Sequence, residues 1–310
     1  MPVLFSEEDE VTKNETGYEN MSNPELIDAF LSRFESVGTK NVYRSELKKM
    51  DKFIGKPFNQ VTKRNMIEFN GFLDTRSDYS RQRVHSTVRS FFDFLVWADV
   101  VHTDNNPTRG TFRRITPTTD LQSKCLLIEE VEALKKVALP VPRDYAMVAV
   151  LATTGTRISE MLNMKQSDCY QEYVKELGRK GWFITVVGKG HKTRPVYLVD
   201  GTVKAIERLL CGSIDTGSNE HFFQGFWDKK YNRLSATAAR NRLDDLAKRA
   251  GINKPFTPHW FRHTFISQLV AHGGSPKDVQ MIAGHSSFRS TEKYLWAVGR
   301  TVATLFPVEF

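Results

Sequence analysis

The stretch from Asn105 to Ser123, NNPTRGTFRRITPTTDLQS, breaks a chain whose apolar residues otherwise recur with regular periods on both sides of it. Two prolines, three arginines and little apolar content make it read as an exposed linker. A chain of 310 residues that is divided here cannot be built around one core. Domains typically hold roughly 100–200 residues each. The expected organisation is a tail over 1–21, a first domain over 22–106, a linker over 107–123 and a second domain over 124–310.

The first domain reads as helical throughout. SNPELIDAFLSRF opens with Ser22 as N-cap and Pro24 in the first turn, and Leu26, Ile27, Phe30, Leu31 and Phe34 make an apolar stripe. The pattern repeats in 39–54 with Val42, Tyr43, Leu47, Met50, Phe53 and Ile54. A third helix is expected from Lys63 to Leu73 and a fourth from Ser80 to Ala98, which together make a four-helix bundle. The second domain begins with helices over Ile128–Val137, Arg143–Thr154 and Ile158–Met164. A hairpin follows, with strands WFITVV and RPVYLV around the turn GKGHKT. Helices return over Thr202–Leu210, Ser235–Ala250, Pro258–His272, Pro276–Ala283 and from Thr291 onward. The fold class is therefore mainly α with a small β-hairpin or sheet.

Charge narrows the partner. Lys and Arg number 44 against 36 Asp and Glu, for a net +8. Residues 1–20 hold six acids and one lysine, whereas 21–123 hold 16 basic and 12 acidic groups and 124–310 hold 27 and 18. Two basic domains behind an acidic tail point to a polyanion. No window approaches the ~18 uninterrupted apolar residues of a membrane span. The acidic N-terminus MPVLFSEEDE is unlike a secretory leader. Three scattered cysteines, Cys125, Cys169 and Cys211, supply neither a disulfide framework nor a Cys-rich zinc site. A cytoplasmic protein without membrane attachment is expected.

Four segments of the second domain concentrate polar chemistry. In TTGTRISEML, Gly155 ends one helix, and Arg157 opens the next with Glu160 a turn further on. An arginine at such a place can offer its planar fork to a phosphate, although a surface Arg–Glu pair has the same pattern. In VVGKGHKTRPVYL, two glycines flank Lys189 at a hairpin tip; the spacing matches neither a Walker loop nor G-x-G-x-x-G. In TPHWFRHTFISQLVAHG, His259 and Arg262 share a helical face, and His263 lies one turn from His259. Trp260 stands where a zinc protease has glutamate, and no third ligand follows, so no metal is expected. In IAGHSSFRSTEKYLWAV, His285 follows the helix-ending Gly284, and Tyr294 comes nine residues later.

Taken in order, R-x-x-E, G-K-G-x-K, H-x-x-R-H and G-H-S-S with T-x-x-Y resemble the tyrosine recombinases, the phage integrases and Xer-type enzymes. The resemblance extends to the N-terminal bundle, where YRSELKKMDKF and the NNP ending look like the family's SAM-like core-binding domain. It implies that Arg157 and Arg262 clamp the scissile phosphate and that Lys189 protonates the leaving 5′ oxygen. His259 and His285 would bind phosphate and handle protons, Tyr294 would be the nucleophile, and Glu160 would orient the site. The second domain would then be catalytic and need no cofactor. Trp260, Phe261 and Ala283 depart from the usual packing residues, which bears on subfamily.

The inventory suits that chemistry. Guanidiniums, imidazoles and an ammonium can offset charge that builds on phosphate oxygens. A free phenol, with a pKa of about 10, is ionised about one part in a thousand at pH 7 and must be activated in place. Further contacts to double-stranded DNA are expected from Arg81, Arg83, Arg109, Arg113, Arg114, Lys192 and Arg194, with affinity falling steeply as salt rises. The resemblance also implies a homotetramer on two sites with inverted repeats, coupled through an apolar C-terminal helix. No further arm-site domain is expected beyond the acidic tail. A type IB topoisomerase-like enzyme, a non-catalytic DNA-binding regulator and a zinc hydrolase built on His259 and His263 are the alternatives.

Overall fold

The computed structural model describes residues 17–112, 124–188, 191–215, 217–218, 220–227 and 230–284. The chain divides into two compact units, Met1–Thr119 and Asp120–Phe310. Each of the two has its own buried hydrophobic cluster.

The first unit is a bundle of α1 (Asn23–Ser32), α2 (Val37–Ile54), α3 (Lys63–Phe72) and α4 (Asp78–Trp97). Ser22 caps α1, and the Glu25 carboxylate accepts the Ser22 backbone N–H at 2.8 Å, closing the first turn. Gly55 ends α2 in the left-handed region, with φ 62°. The core is aromatic: Phe30 meets Phe91 edge-to-face at 5.3 Å, and Phe91 meets Phe58 at 4.9 Å.

Two margins differ from the sequence reading. Tyr18, expected in the tail, is buried and packs against Phe94 and Trp97 at 5.6 and 6.0 Å. Phe112, expected in the linker, is buried too. Its ring stacks on His85 at 4.2 Å, and its carbonyl accepts a hydrogen bond from Arg89. A single aromatic in a polar run has no periodicity to reveal it, so only the packed bundle shows that the unit reaches Phe112.

The second unit is organised around α6 (Pro142–Thr154), in which Ala146 to Leu151 are all buried. A helix that is apolar all round must be central. It contacts α5 (Ile128–Ala138), α8 (Asp200–Leu209) and α10 (His259–Ala271). A short α7 (Ile158–Leu162) follows α6, and α9 (Ala236–Arg249) and α11 (Pro276–Ala283) complete the helices among the described residues.

The expected hairpin is part of a three-stranded antiparallel sheet, β1 (Cys169–Val174), β2 (Arg179–Val187) and β3 (Thr193–Leu198). Its first strand, CYQEYV, escapes a sequence reading because only Cys169 in it is fully buried, so it carries no alternating signature. A second pair, β4 (Gln224–Trp227) and β5 (Lys230–Arg233), was likewise too short to show a period.

Candidate active site

The site begins where α6 stops. Gly155 has φ 59° and ψ 17°, a conformation natural to glycine, and it turns the chain so that Arg157 becomes the N-cap of α7. The Glu160 carboxylate reaches back to that cap. It accepts the Arg157 backbone N–H at 2.9 Å and the Arg157 guanidinium at 2.6 Å. The Glu160 side chain is 4% exposed, so the carboxylate is buried while the Arg157 guanidinium stays partly open to solvent.

The hairpin supplies the second component. Gly188 N donates to the Lys192 carbonyl at 2.8 Å just beyond the last paired residues, Val187 and Thr193. Arg194, one residue into β3, turns inward and donates to Glu160 Oε2 at 2.9 Å. Its Nε donates to the Ile282 carbonyl at 3.1 Å, in the last turn of α11. Burial pushes the Glu160 carboxyl up, but hydrogen bonds from Arg194 and from Arg157 outweigh that and hold it below the usual carboxylate range. Glu160 therefore stays ionised and keeps both arginines in place.

The third component is α10. Arg262 is 2% exposed; its Nη1 donates to the Gly155 carbonyl at 2.9 Å, and its Nη2 donates to the Ala283 carbonyl. It thus ties the α6–α7 joint to the end of α11, where a cation is favoured by the helix dipole. His259, the first residue of α10, is exposed, and His263 is buried behind it with the two rings 4.8 Å apart, edge to face. Trp260 and Phe261, the unusual residues of this motif, are buried members of the second unit's core. Among the described residues no group of three or more His, Cys, Asp or Glu side chains could hold a metal ion.

Arg157, Glu160 and Arg262 are therefore brought together, with His259 at the start of the same helix as Arg262. Lys189, His285, Tyr294, Arg113 and Arg114 lie outside the described residues; Gly188 and Gly284 are the described residues next to Lys189 and His285. Of the expected DNA contacts, Arg109, Lys192 and Arg83 are exposed. Arg83 also bonds the buried Glu46 at 2.9 Å, and Arg81 is half-buried and pairs with Asp74 at 2.8 Å.

Arg194 differs most from its expected place. Its side chain is 10% exposed and bonded within the protein, so it is part of the site's framework and not a surface contact. Strand alternation carried the signal: Arg194, Val196 and Leu198 share one face of β3, and Val196 and Leu198 are buried.

Residues 124–297 match the phage integrase family, and residues 27–99 match the phage integrase N-terminal SAM-like domain. The chain is 30% identical over 239 residues to the tyrosine recombinase XerD of Halalkalibacterium halodurans, covering 71% of each chain. It is 28% identical over 270 residues to the tyrosine recombinase XerC of Leptospira interrogans, covering 84% of this chain and 83% of that one. Its fold is similar to that of the XerH site-specific recombinase bound to palindromic difH substrate, with a TM-score of 0.72 over 98% of this chain and 90% of that chain, at 16% identity. By its catalytic and N-terminal domains alike, the chain belongs to the phage integrase family of tyrosine recombinases.

Proposed function

We propose that this protein is a site-specific DNA recombinase that cuts and rejoins strands through a 3′-phosphotyrosine intermediate. One observation carries the reading. The side chain of Arg262 bonds the carbonyl of Gly155, two residues before Arg157, so the two arginines of separate motifs converge on one joint. Two guanidiniums placed together suit a single phosphodiester, whose developing negative charge they would offset.

The reaction follows from that placement. The Tyr294 phenol passes its proton to a neutral imidazole of the site, His259 or His285, and its oxygen attacks the phosphorus. The P–O5′ bond breaks, and the leaving 5′ oxygen takes a proton from Lys189. The product is a phosphotyrosine ester on the 3′ end and a free 5′ hydroxyl. The ester keeps the broken bond's energy, so a 5′ hydroxyl from a second strand can reverse the step without a nucleotide cofactor. His259 and His285 would support the phosphate and its protons. The partner is double-stranded DNA bearing inverted repeats, bound by a homotetramer on two sites in the cytoplasm. A Holliday junction is the intermediate, and the outcome is dimer or cointegrate resolution or integration and excision of a mobile element. No helix among the described residues is long and apolar enough to cross a membrane.

The test is a nicked suicide substrate, on which the wild-type chain should accumulate a covalent adduct. Tyr294→Phe removes one hydroxyl; it should bind the same DNA and form no adduct. An adduct formed by the Phe variant would assign the nucleophile elsewhere.

A further inference from the structure

Arg194 lies outside the motif positions that define the reaction, yet it is as closely bonded into the protein as Arg157, Glu160 and Arg262. Its guanidinium spans three segments: Nη2 on Glu160 at 2.9 Å, Nε on the Ile282 carbonyl at 3.1 Å, and the backbone of β3 that carries it. Gly284 packs against the same group. A Cβ there would lie 2.8 Å from Arg194 Nη1 and 3.0 Å from its Cζ, so the left-handed end of α11 is fitted to this arginine. On the hairpin side, a Cβ on Gly188 would lie 3.5 Å from Glu160 Oε1 and 3.6 Å from Arg194 Nη1.

Charge gives this arrangement a purpose. Arg157 and Glu160 alone form a neutral pair, and a neutral pair does little to offset the charge that builds on a phosphodiester in the transition state. Adding Arg194 to the same carboxylate leaves the trio with one net positive charge. The 35% exposure of the Arg157 side chain, against 10% for Arg194, places the accessible part of that charge on Arg157.

We propose that Arg194 is a positioning residue of the active site. It neutralises Glu160 so that Arg157 keeps its charge for the scissile phosphate, and it fixes the end of α11 to the hairpin. This inference rests on the recombinase reading above.

The experiment measures single-turnover cleavage of a nicked suicide duplex, together with the DNA concentration for half-saturation and its salt dependence. Arg194→Met should lower the rate at saturating DNA by about tenfold to a hundredfold, the scale on which misplaced catalytic groups act. Half-saturation and the salt slope should stay at the wild-type values. Glu160→Gln added to Arg194→Met should restore part of the rate, because it removes the carboxylate that then cancels Arg157; a purely structural role predicts a further loss. If Arg194→Met does not fold, Arg194→Lys serves. It keeps the charge, and it should cleave more slowly at saturation because one ammonium replaces a planar group that bonds at both ends.

A salt slope lowered by about 0.9, the value for one lost phosphate contact, with an unchanged rate at saturation would make Arg194 a DNA contact and overturn the proposal. A double variant no faster than Arg194→Met, or a Lys variant as fast as wild type, would overturn it as well. Failure of the wild-type chain to form an adduct would instead overturn the recombinase reading.

Discussion

The carbonyl of Gly155 accepts a hydrogen bond from Arg262 Nη1 at 2.9 Å, joining residues 107 positions apart in the chain. Gly155 has no room for a side chain, since a Cβ would lie 2.2 Å from Cδ1 of Phe265. Gly155→Ala must therefore strain a left-handed backbone and displace an aromatic ring. A loss of at least about 2 kcal/mol is expected, along with slower cleavage, because Arg157 and Arg262 both depend on this joint. Phe265→Ala in the same chain should relieve the clash and recover part of the thermal midpoint. An alanine variant with an unchanged midpoint would show that the joint tolerates a side chain.

Lys189 is expected to act on the leaving oxygen and the two arginines on the phosphate itself. Lys189→Ala should be rescued in part on DNA whose 5′ bridging oxygen is sulfur, a leaving group that needs no proton. Arg157→Ala and Arg262→Ala should each lose about 10²–10³ in rate or more, and sulfur should not rescue them. Equal defects of Lys189→Ala on both substrates would remove it from the proton-donor role.

A pH dependence is built into the N-terminal unit. His85 is 4% exposed, bonded to Asn70 Oδ1 at 2.7 Å and stacked on Phe112. Burial, then the nearby Arg89 and Arg81, push its pKa down to about 4, with Asp74 opposing. The unfolded chain takes up this proton near pH 6.5 and the folded chain only near 4. Stability therefore falls as the pH drops through that window and levels off below it, by at most about 3 kcal/mol. Hydrogen exchange of α4 in the full chain should show the fall, and His85→Gln should flatten it. An identical slope in the variant would place the proton uptake on another group.

The last sixteen residues, LWAVGRTVATLFPVEF, hold Val298, Val302, Leu305 and Phe306 at helical spacing, and they lie outside the described residues. The assembly proposed above requires this face to dock on a neighbouring subunit. Deleting the chain from Gly299 should leave single-site binding intact while lowering cooperative binding and recombination of two sites. A truncated chain that recombines as well as the full one would mean that the segment docks on its own subunit.

Helices α1 to α4, the β2–β3 hairpin and the long helices of the second unit could be read directly, because each has a repeated apolar spacing long enough to be recognised. The order and spacing of short motifs carried the resemblance that singled out Arg157, Glu160 and Arg262, and the fold brings these three together; Lys189, His285 and Tyr294 are proposed on that resemblance alone. Three things needed the packed chain. Tyr18 and Phe112 join the first core as single aromatics, which no period announces. β1 is paired through its backbone, and backbone hydrogen bonds leave little trace in side-chain identity. Arg194 reads as one more basic residue on a hairpin until Glu160 and the Ile282 carbonyl, 34 residues before it and 88 after, are folded against it. Sequence determined which charges this protein has; only tertiary structure decided which of them neutralise one another and which remain for a phosphate, because that depends on distances between segments remote in the chain.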